Sequence, residues 1–389
     1  MSVLSGLDVF KAEDHVKYRG ARIGLLSNQA SVIRDFIHAK DIISKLCPGD
    51  LQALFGPQHG YAGEDQDNMI ETGHSVDKNL DIPIFSLYSN LREPSHDMLD
   101  LIDVLIIDMQ DVGTRVYTFA STMLNCMKAA ARYGKKVVIL DRPNPLGGDI
   151  MEGNLLVQDL YSFVGPWSMP MRHGMTMGEL AFLFNNEFSI ECDLEIIRLG
   201  GWQRSMMWEE TCQPWAVPSP NMPIPETACV YPGQVIWEGT NLSEGRGTCR
   251  PFEIFGAPYL DTDSILKNIP AEFLRGCVLR QVSFRPTFNK WQDRICKGFM
   301  IHILDKNTFR SYDTAVALLK TIIHVHGGNF EWKMPPYEYE YERLPIDLIL
   351  GNSALREAIQ GGEDLFDIKK TWLSEYEDFK DLRRPYLLY

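Results

Sequence analysis

No CxxC pair occurs among the eight cysteines, no apolar stretch of signal-peptide length opens the chain, and no run approaches the roughly 18 apolar residues of a membrane span. Cys47, Cys126, Cys192, Cys212, Cys229, Cys249, Cys277 and Cys296 are scattered as reduced thiols are, so no disulfide framework is expected. The sequence as written reads as a soluble cytoplasmic protein; a trimmed leader would make it periplasmic or secreted. A basic block is also missing. The net charge is −14, from 52 acidic and 38 basic residues, which makes nucleic acid and anionic membranes poor partners.

Several chemistries lose their signatures. RIGLLSNQAS stands where a dinucleotide-binding strand would turn through GxGxxG, and GxxxxGK[ST], HExxH and GxSxG are all missing. His324 and His326, two apart on a helix, would point to different faces, so neither a metal nor a cofactor is expected. There is no internal repeat or low-complexity tract, and the acidic, aromatic run Tyr337 to Glu342 reads as a solvated edge.

What the chain does have is 389 residues with 45% hydrophobic content, enough for two domains with real cores. Short aliphatic runs predict strands at Arg22 to Ser27, Leu51 to Phe55, Ile82 to Leu87, Val104 to Asp108 and Lys136 to Asp141. Helices are predicted between them at Arg34 to Leu46, Ser95 to Leu101 and Ser121 to Tyr133. The alternation implies an α/β, Rossmann-like, doubly wound and mostly parallel sheet over residues 1–228. Over 229–389 the pattern becomes α+β, with strands at Val278 to Phe284 and Gly298 to Leu304 and a helix at Tyr312 to His326. A last amphipathic helix carries Ile368, Trp372, Tyr376, Phe379 and Leu382 on one face.

In such a sheet, ligands bind beyond the carboxyl ends of the strands, and polar residues crowd the sequence there. After the second strand, LFGPQHGYAGED presents Gln58 and His59 between glycines. After the fourth come Asp108, Gln110, Asp111 and Arg115; Asp111, three residues into the loop, is the favoured functional carboxylate. Arg115 suits a ligand carboxylate or the neutralisation of Asp111, and both readings stay open. The fifth strand leads to Asp141, Arg142 and Asn144, whose alternative is a rigid turn with Asp141 and Arg142 paired. MRHGMTMGELAFLFNNEF contributes Arg172, His173 and Glu179, although Thr176 and Glu179 have capping-box spacing and the structural reading of Glu179 is the stronger. Glu238, Asn241, Glu244 and Arg246 lie in a glycine-spaced loop, with Asn221 nearby between prolines. Trp202, Trp208, Trp215 and Trp237 fall in the same region and suit a sugar ring, against a default of core packing.

Taken in order, SNQA, GPQHG, DMQDVGTRVYTF, DRPNPLGG, RHGMTMGELAFLFN, SPNMP and EGTNLSEGRGTCRPFEIFGAP resemble the exo-β-N-acetylmuramidase family, the NamZ-like proteins long catalogued as a domain of unknown function. The likeness runs from about Gly6 to the C-terminus. It implies a Rossmann-like N-terminal catalytic domain, a smaller auxiliary domain and a cleft between them. It also implies release of N-acetylmuramic acid from the non-reducing end of peptidoglycan fragments in bacterial cell-wall turnover, without nucleotide or metal. The expected catalytic group is then Asp111, His59, Gln58, Glu179 and Glu244. Asn28 of the first motif and Tyr117 of the third join Arg115, Arg142, Asn144, Arg172, His173, Asn221, Glu238, Asn241 and Arg246 as substrate-binding candidates. The arginines are candidate clamps for the lactyl carboxylate.

One departure stands out. The family reads Pro-Glu-His-Gly where this chain has Pro57, Gln58, His59 and Gly60. If that glutamate is the general acid, an amide has no titratable proton to replace it. The chain would then be inactive, use a nearby carboxylate such as Glu64, or follow altered chemistry, including attack by the substrate's own acetamido group. A catalytically silent muropeptide-binding protein is the rival reading, and a nucleotide-dependent enzyme is disfavoured by the missing glycine turn.

Overall fold

The computed structural model describes residues 2–67 and 69–389. Seven strands form the main sheet: β1 Ile23–Ser27, β2 Leu51–Gly56, β3 Ser75–Asp77, β4 Ile82–Ser86, β5 Val104–Asp108, β6 Lys136–Leu140 and β7 Leu194–Ile197. Their order is β3-β4-β2-β1-β5-β6-β7, parallel throughout except for the antiparallel edge pair β3 and β4. From β1 the chain builds outward in one direction through β2 and β4, then returns to add β5, β6 and β7 on the other side. That reversal opens a crevice beyond the carboxyl ends of the central strands.

Both faces of the sheet are covered, which is why β5 and β6 are apolar at successive positions rather than alternately. Val104, Ile106, Val138 and Leu140 face one core with Leu7, Phe10 and Ile43. Leu105, Ile107, Val137 and Ile139 face the other, which continues through Met123 and Phe184 into Trp237, Phe255, Tyr312 and Trp372. The second core therefore runs without a break from the sheet into the second half of the chain.

That half carries a three-stranded antiparallel sheet, order β8-β10-β9, from β8 Ile254–Ala257, β9 Cys277–Phe284 and β10 Cys296–Ile303. Helices at Pro225–Gln234 and Ser311–His326 pack beside it, and the last helix, Leu365–Arg383, buries Ile368, Trp372 and Phe379 while Tyr376 and Leu382 stay half-buried. Beyond it, the Tyr389 hydroxyl donates to Asp141 Oδ2 at 2.7 Å, so the end of the chain returns to the tip of β6.

The elements differ from the sequence reading in places. The helix expected from Arg34 starts at Ala39, because His38 caps it and Phe36 turns at φ 58°. The helix expected from Ser121 starts earlier, at Phe119. Strands β3, β7 and β8 span three or four residues each, too short to show a period.

Gly298 of β10 sits opposite Gly256 of β8, and a Cβ there would lie 1.9 Å from the Phe255 carbonyl oxygen. The close approach of the two backbones requires glycine. Gly298→Ala is expected to lower stability by about 2 kcal/mol or more, read from the midpoint of urea unfolding at unchanged slope.

Candidate functional site

A narrow cleft, with room for only about 30 Å³, opens beyond the carboxyl ends of β2 and β5, and its far wall comes from the second half of the chain. From the sheet come Gln58, His59, Tyr117 and Thr118; facing them are Glu238, Arg246, Tyr337 and Glu338.

Gln58 is fixed at both ends of its amide. Its Oε1 accepts from the Thr118 hydroxyl at 2.7 Å, and its Nε2 donates to the Tyr88 hydroxyl at 3.1 Å and to Glu338 Oε1 at 2.9 Å. Tyr88, two residues beyond β4, donates in turn to Glu338 Oε2 at 2.6 Å. Glu338 is buried, and burial pushes its carboxyl up to about 7, against the opposing pull of the Tyr88 and Gln58 hydrogen bonds; Glu238 adds to the rise and Arg246 offsets part of it.

Next to this group, Glu238 accepts from Arg246 Nη2 and from the Tyr337 hydroxyl, each at 2.6 Å. Arg246 Nε lies 3.2 Å from Glu244 Oε1, an ion-pair distance without hydrogen-bond alignment, and Nη1 has no hydrogen-bond partner among the described residues. Burial works against the guanidinium charge, but Glu238 and Glu244 more than offset it and raise its pKa. Lys290 donates to Glu244 Oε2 at 2.9 Å, so Glu244 is ion-paired behind the cleft wall.

His59 adopts φ 74°, and its Nδ1 lies 2.8 Å from the Asp65 carbonyl oxygen. A carbonyl can only accept, so Nδ1 carries the proton and Nε2 is left as an acceptor. Burial, helped by Arg246, lowers its pKa to about 4, which keeps the ring neutral at physiological pH. Asn221 also lines the cleft and donates to the Gln66 carbonyl at 2.6 Å.

Asp111 stands one layer back. It does not line the cleft: its Oδ1 accepts from Gly113 N at 2.7 Å, while Oδ2 is buried without a hydrogen-bond partner among the described residues. Burial raises this carboxyl to about 7, and its charge is felt at the Tyr117 hydroxyl, which does line the cleft.

The remaining sequence candidates hold the fold and lie outside the cleft. Arg115 neither clamps nor neutralises a carboxylate; its guanidinium donates to the carbonyls of Asn154, Met169, Ile349 and Leu350 at 2.8 to 3.1 Å. Arg142 is paired bidentately with Asp108, at 2.5 and 2.8 Å, rather than with Asp141. Asn144 donates to Met175 O, and Asn28 donates to Pro218 O, which braces the segment leading to Ser219 and Asn221. Arg172 pairs with Glu152 at 2.8 Å. His173 is buried, accepts from Met175 N, and is lowered to about 3 by burial and nearby arginines. Glu179 completes the capping box with Thr176 and also accepts from Arg204 at 2.7 Å. Asn241 is held by Asn329 O and the Tyr259 hydroxyl, and Glu64 is exposed.

Two readings need correction. The run Tyr337 to Glu342 is a solvated edge only at its end, where Tyr341 and Glu342 are exposed: Tyr337 and Glu338 are buried in the cleft wall, with φ values of 45° at Glu338 and 68° at Tyr339. The local signal was the strict interleaving of tyrosine with glutamate, which puts apolar rings between the charges. The tryptophans do not form a sugar platform either; Trp237 stacks on Phe255 at 4.8 Å in the core and Trp208 packs edge-on against Trp215. The aromatic lining comes from Tyr117, Tyr231, Phe252 and Tyr337.

The family model described as exo-β-N-acetylmuramidase NamZ, N-terminal, matches residues 23–226, and its C-terminal counterpart matches residues 229–389. The chain is 38% identical over 387 residues to the peptidoglycan β-N-acetylmuramidase NamZ of Bacillus subtilis (strain 168), covering 100% of this chain and 91% of that protein. Two solved DUF1343 family proteins from Bacteroides fragilis superpose with TM-scores of 0.90 and 0.77, at 29% and 28% identity. Each comparison covers 100% of this chain and 99% of the solved one.

Arg115→Met should expose the difference between a brace and a clamp. Loss of four carbonyl partners is expected to cost about 3 kcal/mol of stability in denaturant unfolding, with ligand affinity at the cleft unchanged in the folded fraction.

Proposed function

The chain belongs to the NamZ exo-β-N-acetylmuramidase family, and on that premise we propose that it is a glycoside hydrolase releasing N-acetylmuramic acid from the non-reducing end of peptidoglycan fragments. The observation that carries this reading is the meeting of two buried carboxyl groups in unlike surroundings. Glu238 accepts from a guanidinium, whereas Glu338 accepts from neutral donors. Glycosidic cleavage asks for such a difference, one carboxyl ionised and one able to give a proton.

In this reading Glu238, held by Arg246 and Tyr337, takes a proton from the attacking water. Arg246 is ion-paired with it and offers Nη1, which has no hydrogen-bond partner among the described residues, to the lactyl carboxylate of the sugar. Asn221, Tyr117 and His59 Nε2 offer further polar contacts to the ring substituents. Asp111, outside the cleft, bears on it only through the effect of its charge on the Tyr117 hydroxyl. Gln58 favours a second reading, a sugar-binding protein without turnover.

Release of a chromophore from a β-linked N-acetylmuramic acid glycoside, compared with its N-acetylglucosamine analogue, tests both. The muramic glycoside is expected to be favoured by about 10²-fold or more in kcat/KM, because the analogue leaves the buried Arg246 Nη1 without a hydrogen-bond acceptor. Binding of the muramic sugar with no turnover would establish the second reading instead.

A further inference from the structure

We propose that Glu338, held by the Gln58 amide and the Tyr88 hydroxyl, is the general acid of glycosidic cleavage in this chain. The inference rests on the muramidase reading and adds the identity of the proton donor. Position 58 cannot supply the proton, since an amide does not titrate in this range, yet its side chain is not idle. Both donor hydrogens of Gln58 are engaged, one on Tyr88 and one on Glu338, and its oxygen is locked by Thr118. The amide thus anchors a carboxyl arriving from 280 residues further along the chain.

The other carboxyl groups near the cleft are less suited. Glu238 and Glu244 are both bound to cations, Glu64 is exposed, and Asp111 does not line the cleft. Glu338 is buried in the lining itself, and its bonds come from neutral groups. A carboxyl desolvated in this way keeps its proton to about pH 7, as an acid working near neutrality must.

The step balances as follows. Glu338 transfers its proton to the glycosidic oxygen as the bond from C1 to that oxygen breaks, and the bonding pair leaves with the aglycone alcohol. Water adds its oxygen to C1 and gives its proton to Glu238. Proton exchange with solvent then restores Glu338 to the acid form and Glu238 to the carboxylate.

The test uses the full-length chain and two N-acetylmuramic acid glycosides, one with a 2,4-dinitrophenyl leaving group and one with a poor, sugar-like alcohol. Glu338→Gln is expected to lose about 10²- to 10⁴-fold in kcat/KM on the poor leaving group and to retain most activity on the dinitrophenyl glycoside, whose departure needs no acid. The wild-type kcat/KM on the poor leaving group should fall as pH rises through about 7, because the required proton is lost there. Tyr88→Phe keeps the ring but removes a donor to the ionised form, so that limb should move up by about one unit.

Equal losses on both substrates, or a limb that Tyr88→Phe leaves in place, would overturn the assignment. So would a leaving-group-dependent loss produced by Asp111→Asn and not by Glu338→Gln. A wild-type chain that turns over neither glycoside overturns the muramidase reading itself, and the acid role with it.

Discussion

Burial of both faces of one parallel sheet is the constraint from which the rest of this molecule follows. With β5 and β6 apolar toward two separate cores, polar side chains have no place along the strands and collect where the strands end. The reversal of strand order at β1 then puts those ends around a crevice. Gln58 and Tyr88 reach one carboxyl, and Thr118 holds Gln58, because β2, β4 and β5 stop on the same edge.

The second half of the chain closes that crevice, and the closure is held by backbone chemistry as much as by apolar contact. Arg115 lies in the loop beyond β5, yet it donates to carbonyls at 349 and 350, and Tyr389 bonds to Asp141. These bonds bring together parts of the chain more than 200 residues apart. They also explain why so many buried arginines here are structural: Arg142 and Arg172 each have a carboxylate to satisfy, and Arg115 a set of carbonyls. Arg246 differs in lining the cleft.

The cleft separates two carboxyl groups by their partners rather than by their type. Glu238 has a cation and a phenol, Glu338 an amide and a phenol. Glutamine at position 58 fits this arrangement, because a second acid beside Glu338 would place two like charges in one desolvated site, whereas an amide supplies a donor.

Much of this was legible in the residues. Short aliphatic runs ending in polar residues gave five strands of the main sheet, and the edge on which ligands gather followed from the parallel order. Gln58, His59, Tyr117, Asn221, Glu238 and Arg246 all reached the cleft. Periodicity could not register β3, β7 or β8, which are shorter than the pattern needs, nor could it tell that Arg115 spends its donors on carbonyls while Arg246 lines the cleft. Glu338 was hidden in a run that looks solvated because charge density is a local property and burial is not. The sequence by itself determined the sheet, its polar edge and the family; only the tertiary structure decided which carboxyl meets Gln58. That partner comes from the far end of the chain, and nothing within a few residues of either one encodes the distance between them.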